Sequence, residues 1–325
     1  MQVQNHLLPH PGACVHFFRG KGFVSAYGLL LFLSGLIVAF ASGCVTAPKG
    51  LQLEGSKSAY PPGTIIQTAT GRAVSFEEMM ADLYTAPVVY VGEQHTQARQ
   101  HAIQLKILKK LHARHPGLSL GMEMFDHTYQ PVLNKWRKGR LTTEQFLEQT
   151  HWYANWKFDF DLYKVILLYA KEREIAVIGL NVPPHIPPKI AVGGIDNLLP
   201  GDRAHLPDSV DTGNEKHREY VQSVFKHHHQ RGLTNFSYFY QAQCVWEDAM
   251  AEAVAKNLED DGTLLVLAGS GHLRHHYGIP QRAYKRHPAP YRTVLPMPAG
   301  RSVKADISDY IWVSPASERP HPRMP

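Results

Sequence analysis

Cysteine is nearly absent: the 325 residues hold three, Cys14, Cys44 and Cys244. Three scattered thiols cannot build a disulfide framework or a CxxC-type zinc site. No block of Lys or Arg stands out either. With 34 basic against 28 acidic side chains and a formal net charge of +6, the chain has no footprint for nucleic acid. Internal repeats, coiled-coil heptads and low-complexity tracts are missing too. So are several enzyme signatures: there is no HExxH, and Gly269-Ser270-Gly271 is not GxSxG. Residues 50–58 look like a phosphate loop only superficially, because they lack the Gly-Lys-Ser/Thr adjacency and a preceding strand.

What the chain does hold is apolar surface. It is 44% hydrophobic and 10% aromatic, too much for a disordered chain. The length suits one large domain or two small ones. Histidine is abundant at 20 residues. That number points toward metal or haem, although many of these side chains must be surface residues.

Residues 1–43 carry no acid and only two firm charges, Arg19 and Lys21. Phe23 to Phe40 is apolar, and Ala41-Ser42-Gly43 follows directly before Cys44. A basic flank, an apolar stretch and small residues at a cleavage point read as an export signal. The run Ala41-Ser42-Gly43-Cys44 resembles a bacterial lipobox, with Ala where Leu is commoner. Cys44 is then lipidated and becomes the first mature residue. The alternative is an uncleaved anchor with an incidental cysteine. Val45, rather than Asp, suits sorting to the outer membrane. Residues 44–62 are expected as a tether, 63–313 as a single domain and 314–325 as a disordered tail. Cys244, the remaining thiol, is expected to be buried.

Past the tether, short apolar runs alternate with amphipathic stretches. Strands are expected at 87–91, 118–125, 175–180 and 263–268, with further ones at 292–295 and 310–313. Helices are expected at 97–114, 128–138, 142–150, 159–173, 214–230 and 236–258, with Thr142 and Gln145 forming a capping box. Residues 183–210 read mostly as loop. This alternation predicts an α/β fold: three layers, α/β/α, around a mostly parallel sheet. The helical stretch 126–258 reads as a cap over that sheet.

Ligands in such folds bind beyond the carboxyl ends of the strands. There the sequence places Glu93 and His95 after the first run, Glu123 within the second, Asn181 after the third and His272 after the fourth. Glu123 sits among Leu, Gly, Met and Phe, where a carboxylate is costly unless paired or ligating. Gln243, Glu247 and Asp248 fall near one helical face, interleaved with Cys244, Val245 and Trp246. His275, His276 and Tyr277 follow His272 closely and are either ligands or exposed loop. His227, His228 and His229 read as solvated. The aromatic run from Trp152 to Phe158 either stacks a flat ligand or packs as core.

With these pieces assembled, the chain resembles the ChaN-like haem-binding lipoproteins of the Tiki superfamily. The resemblance rests on Gly92-Glu93-Gln94-His95, Gly121-Met122-Glu123-Met124-Phe125, Gly179-Leu180-Asn181, Gln243 through Ala251, and Gly269-Ser270-Gly271-His272 with Gly278-Ile279-Pro280. It implies a lipid-anchored protein at the outer membrane that takes part in haem-iron acquisition. It also implies haem held by a tyrosine-type ligand at a homodimer interface, and a haem receptor or transport system as partner. His272, His276 and Tyr277 are the haem candidates by position. A second expectation is hydrolysis, with Glu93, His95, Glu123 and His272 holding a divalent metal, or with His95, Glu123 and His272 as catalytic groups.

Overall fold

The sheet grows from β5 (Val88–Glu93), whose Val-Val-Tyr-Val run is β-branched and aromatic and wholly buried. The computed structural model describes residues 50–228 and 234–316, without the side chains of His227 and His228. The export signal, Cys44, residues 44–49 of the tether, His229 and residues 317–325 of the tail lie outside the described residues.

The other strands are β1 (Leu51–Leu53), β2 (Ala59–Tyr60), β3 (Ile65–Gln67), β4 (Arg72–Val74), β6 (Ser119–Asp126), β7 (Ala176–Asn181), β8 (Leu264–Gly269), β9 (Tyr291–Pro298), β10 (Ser302–Val303) and β11 (Tyr310–Ser314). The helices are α1 (Phe76–Leu83), α2 (Ala98–Arg114), α3 (Gln130–Arg137), α4 (Thr143–Gln149), α5 (Trp152–Asn155), α6 (Asp161–Glu172), α7 (Ile186–Gly193), α8 (Pro200–Arg203), α9 (Glu215–His228), α10 (Phe236–Asn257) and α11 (Ile279–Arg286). The eight-stranded sheet runs β4-β3-β11-β9-β5-β8-β6-β7. Its six strands from β11 to β7 are parallel, and β3 and β4 are antiparallel additions at one edge. The expected α/β/α architecture with a mostly parallel sheet is therefore present.

Each face carries its own core. One packs Ile107, Leu111, Trp136, Phe146, Trp152 and Ile166 from α2 through α6 against Val89, Val91, Leu265 and Leu267. The other packs Met250, Ala251 and Val254 of α10 with Ile279 and Ala283 of α11 against Val88, Tyr90, Val266 and Leu295. The alternation along β5 and β8 sends successive side chains to opposite layers. The stretch expected as a cap is thereby divided between the two layers, with Ile186 and Ile190 of α7 packed on Ala242 and Val245 of α10.

Two stretches differ from the sequence reading. Residues 50–62, expected as tether, include β1 and β2, and β1 pairs with both β10 and β2 in a separate small sheet. Leu51 and Leu53 are buried there. Residues 183–210, expected as loop, hold α7, whose Ile186-Pro187-Pro188 start uses proline in the first turn, where no intrahelical N–H partner is needed. The Thr142 capping box forms as expected: Thr142 Oγ1 accepts from the Gln145 N–H at 3.2 Å, and Gln145 Oε1 accepts from the Thr142 N–H at 3.0 Å.

Candidate functional site

The order of strands across the sheet places β8 between β5 and β6. Three carboxyl ends thus lie side by side, with Glu93 directly across from Gly269. Glu123 reaches the same edge because β6 bulges: Met122 pairs with Gly179 and Asp126 with Asn181, so four steps on one strand meet two on the other. Gly179 is required by that crossing, since a Cβ there would lie 2.6 Å from the Asp126 carbonyl oxygen.

Glu93 is buried and fully engaged. Its Oε1 accepts from Tyr163 Oη at 2.6 Å and lies 2.8 Å from His95 Nδ1. Its Oε2 accepts from Gln104 Nε2 at 2.9 Å and lies 3.3 Å from His101 Nδ1. Burial would raise this acid. The charge and hydrogen bond of His101, and those of His95, outweigh it and hold Glu93 well below the usual carboxylate range. His95 is the exposed member of the group, its side chain 27% accessible. Burial pulls His95 down, but the Glu93 hydrogen bond and the Glu123 charge leave it raised.

His272 repeats this arrangement on the other side. Its Nδ1 lies 3.1 Å from Glu247 Oε1, and its Nε2 lies 3.6 Å from Glu123 Oε1. Burial opposes its charge, yet Glu123 and Glu247 push it up to about 10. Glu123 Oε2 accepts the Gly269 N–H at 2.5 Å. A Cβ on Gly269 would stand 3.2 Å from His95 Nε2 and 3.4 Å from that oxygen, so Gly269 is the spacer between them. Each imidazole therefore turns Nδ1 to a buried carboxylate, while Nε2 faces the region around Glu123. Groups held this way can donate and accept protons.

The supporting residues divide. Asn181 Nδ2 donates to the Glu123 carbonyl at 3.0 Å, and Gln243 Nε2 donates to Glu247 Oε1 at 2.6 Å. Glu247 also meets His217 Nε2 at 2.9 Å. Asp248 turns away to Arg282 and Arg286. Burial raises Asp248 in spite of both cations. Cys244 is buried, as expected, and burial pushes its thiol up to about 12.

The expected metal set of Glu93, His95, Glu123 and His272 is not gathered into one cluster. Among the described residues, no group of three or more His, Cys, Asp or Glu side chains is arranged to hold a metal ion. The reason is visible in the contacts: both oxygens of Glu93 are taken, and the imidazoles pair with different carboxylates. His272, a haem candidate by position, is buried, and each of its ring nitrogens faces a glutamate. His276 is half-buried with its ring 5.7 Å from that of Tyr291, and Tyr277 stacks on His275 at 5.4 Å. Trp156 and Phe158 lie within 5 Å of the His95 ring, centroid to centroid. The sequence reading missed Tyr163, Gln104, His101, His217 and Arg282. One signal was available: Gln100, His101 and Gln104 are polar positions on the buried face of α2.

A search of solved structures finds ChaN of Campylobacter jejuni, described with cofacial haem, at 20% identity and TM-score 0.62, covering 76% of this chain and 95% of that one. That likeness agrees with the three-layer fold. An erythromycin esterase, EreC, in its open conformation covers 72% of this chain and 76% of its own at 14% identity and TM-score 0.43. The type III effector HopBA1 covers 73% and 91% at 13% identity and TM-score 0.42. No curated protein matches the chain. The sequence profile described as haem-binding uptake, Tiki superfamily, ChaN matches residues 79–283. That stretch is well over half of the chain and contains Glu93, His95, Glu123, Asn181, Glu247 and His272, and the protein belongs to this ChaN family of haem-binding uptake proteins.

Proposed function

We propose that the protein binds haem and serves haem-iron acquisition, with haem as cargo. Family membership over residues 79–283 carries this reading. The residues present fit such a ligand. A cavity of about 430 Å³ opens beside the last parallel strand, β7, with an apolar wall and histidine side chains. It lies within the ~300–1,000 Å³ usual for small-molecule sites, and imidazole and phenolate are both haem-iron ligand types. The test is a haemin titration of the full chain, followed in the Soret region. A saturable, shifted band is expected, and its absence removes this reading.

The proposed location is the outer membrane, through a lipid on Cys44, with a homodimer and a haem receptor or transporter as partners. Residues 23–44 support the anchor: an apolar run, then Ala41-Ser42-Gly43-Cys44. No helix among the described residues is long and apolar enough to cross a membrane. Cys44→Ala is expected to move the protein from the detergent phase to the aqueous phase. Partitioning identical to wild type would refute lipidation there.

A second reading is favoured by one observation: two His–Glu pairs, His95–Glu93 and His272–Glu247, flank Glu123. That arrangement suits hydrolysis by general acid and base. Ester and peptide turnover abolished by His95→Ala, with no Soret band in wild type, would support it over haem binding.

A further inference from the structure

At the end of the molecule opposite the Glu123 site, the fold collects cations that the sequence scatters. α2 and α6 run from the carboxyl edge of the sheet back to its amino edge, since Arg114 leads into β6 and Arg173 into β7. α3 ends beside them, where Arg137 Nε donates to the Glu174 carbonyl at 2.6 Å. Lys109, Lys110 and Arg114 of α2, Lys138 and Arg140 past α3, and Arg173 past α6 are all exposed there. Two of them share one ring: Lys109 Nζ lies 5.5 Å and the Arg173 guanidinium carbon 5.9 Å from the Tyr169 centroid.

Among the described residues, no ion pair reaches any of these six side chains. α2 holds no acid, and the nearest acids in the chain are Glu172 and Glu174. Over all the described residues, bases and acids nearly balance, so the cluster is local. Helix C-termini favour cations, which accounts for Arg114 and Arg173. Lys109, Lys110 and Arg140 lie outside those last turns. One neighbouring group senses the cluster: His112, 3.3 Å from Tyr169 Oη, is held below its ordinary value by burial and then by the Arg173 charge. Like charges kept together repel one another, and an anionic surface removes that repulsion.

We propose that this end of the helical layer docks on the anionic phospholipid headgroups of a bilayer. Basic clusters beside a membrane anchor take such surfaces, each Lys or Arg strengthening binding roughly five-fold. Two observations favour a bilayer over a nucleic acid. Residues 23–40 are an apolar run leading to Cys44, and the cations spread over three helix ends rather than along a single helix. Docking here turns the carboxyl edge, with His95, Glu123 and His272, away from the bilayer. The proposal goes beyond the haem reading and stands without it.

The experiment places the full chain with vesicles of phosphatidylcholine alone or mixed with phosphatidylglycerol, and follows acetylation of each lysine by mass spectrometry. With the mixed vesicles, Lys109, Lys110 and Lys138 are expected to react at least about five-fold more slowly, while Lys216 on α9 reacts equally with both. Salt at ~0.5 M shortens the screening length to roughly 4 Å and is expected to remove the protection. Arg114→Glu combined with Arg140→Glu keeps every reporting lysine. Both side chains are exposed, so the double variant is expected to fold, with circular dichroism as the check, and to lose most of the protection. Equal rates with the two vesicle types, or protection kept by the double variant, overturn the proposal. Protection by double-stranded DNA in place of mixed vesicles overturns it in favour of nucleic acid. Retention on phosphatidylcholine vesicles tests the anchor separately, so its loss would refute the anchor reading and leave the lysine comparison standing.

Discussion

Arg282 is the most consequential buried cation behind the site, and Arg282→Met removes it with little change in shape. Its side chain is 2% exposed, and the carboxylates of Glu247 and Asp248 are fully buried. Nη1 donates to Asp248 and, at 2.9 Å, to the Asp211 carbonyl, while Nε lies 3.5 Å from Glu247 Oε2. Deleting one partner of a buried pair costs ~3–5 kcal/mol, because the other charge is left uncompensated. Here neither acid is left alone. Asp248 keeps Arg286 at 2.9 Å and the Asp211 N–H at 2.8 Å, and Glu247 keeps His217 at 2.9 Å and His272 at 3.1 Å. The expected loss is therefore at the low end, ~3 kcal/mol. At roughly 2–4 °C per kcal/mol for a domain near this size, the melting point falls by about 6–12 °C.

Urea and thermal unfolding of wild type, Arg282→Met, Asp248→Asn and the double variant would measure this. The two single losses should not add; a coupling of ~0.5–3 kcal/mol is expected for groups in direct contact. The penalty also has a pH signature. Burial already raises Asp248, and losing Arg282 raises it further. Above its unfolded value the charged form is then disfavoured in the fold, so the deficit of Arg282→Met grows as pH rises and is smaller at pH 5 than at pH 8. A single-variant loss under ~1 kcal/mol, or simple additivity, would refute the claim that this cation holds the acids.

Other outcomes follow from the same contacts. His272, raised to about 10 against an ordinary 6.5, contributes stability that is complete below 6.5 and lost as pH climbs through 10; urea midpoints across that window should fall in wild type more steeply than in His272→Ala, and equal slopes would count against the ion pairs. Glu123→Gln should lower the titration midpoint of His272 followed by NMR, since Glu123 is the leading charge that raises it; an unmoved midpoint would mean that the 3.6 Å contact is idle. Gly278→Ala puts a Cβ 2.2 Å from the His272 carbonyl oxygen, whereas Gly117→Ala meets nothing within 4 Å; denaturation should show a loss of ~1–3 kcal/mol or more for the first only.

Much of the sheet is legible in the sequence because strands buried on both faces read as unbroken apolar runs, and β5, β7 and β8 are such runs. β1, β2 and β10 are two or three residues long, too short to carry a period. α7 escapes because prolines mask its start, and α11 because its 279–286 stretch is short and largely polar. At the site, Glu93, His95, Glu123 and His272 are legible from one rule, that ligands gather beyond the carboxyl ends of parallel strands. Their partners are not. Tyr163, His217 and Arg282 sit on layer helices, and which residue of a helix meets Glu93 or Glu247 depends on how that helix docks. Arg282 in particular lies in a basic stretch, Gln281 to Arg286, that reads as solvated until α10 supplies Asp248 and Glu247 beneath it.

The same accounting separates two kinds of histidine. At the sheet edge, imidazoles and carboxylates neutralise one another: Glu93 spends four contacts, Glu247 is shared by His217, His272 and Gln243, and Glu123 is held by the Gly269 N–H. Buried charges need such closure, because an unpaired one costs several kcal/mol. A residue committed to closing a network is a poor ligand for an incoming metal, since binding would strand its former partner. His127 and His205 lie outside that constraint. Among the described residues no ion pair reaches either ring: His205 Nδ1 lies 3.1 Å from His127 Nε2, and His127 Nδ1 lies 3.4 Å from the Asn181 carbonyl oxygen. The polar edge thus holds the layers in register around β5, β6 and β8.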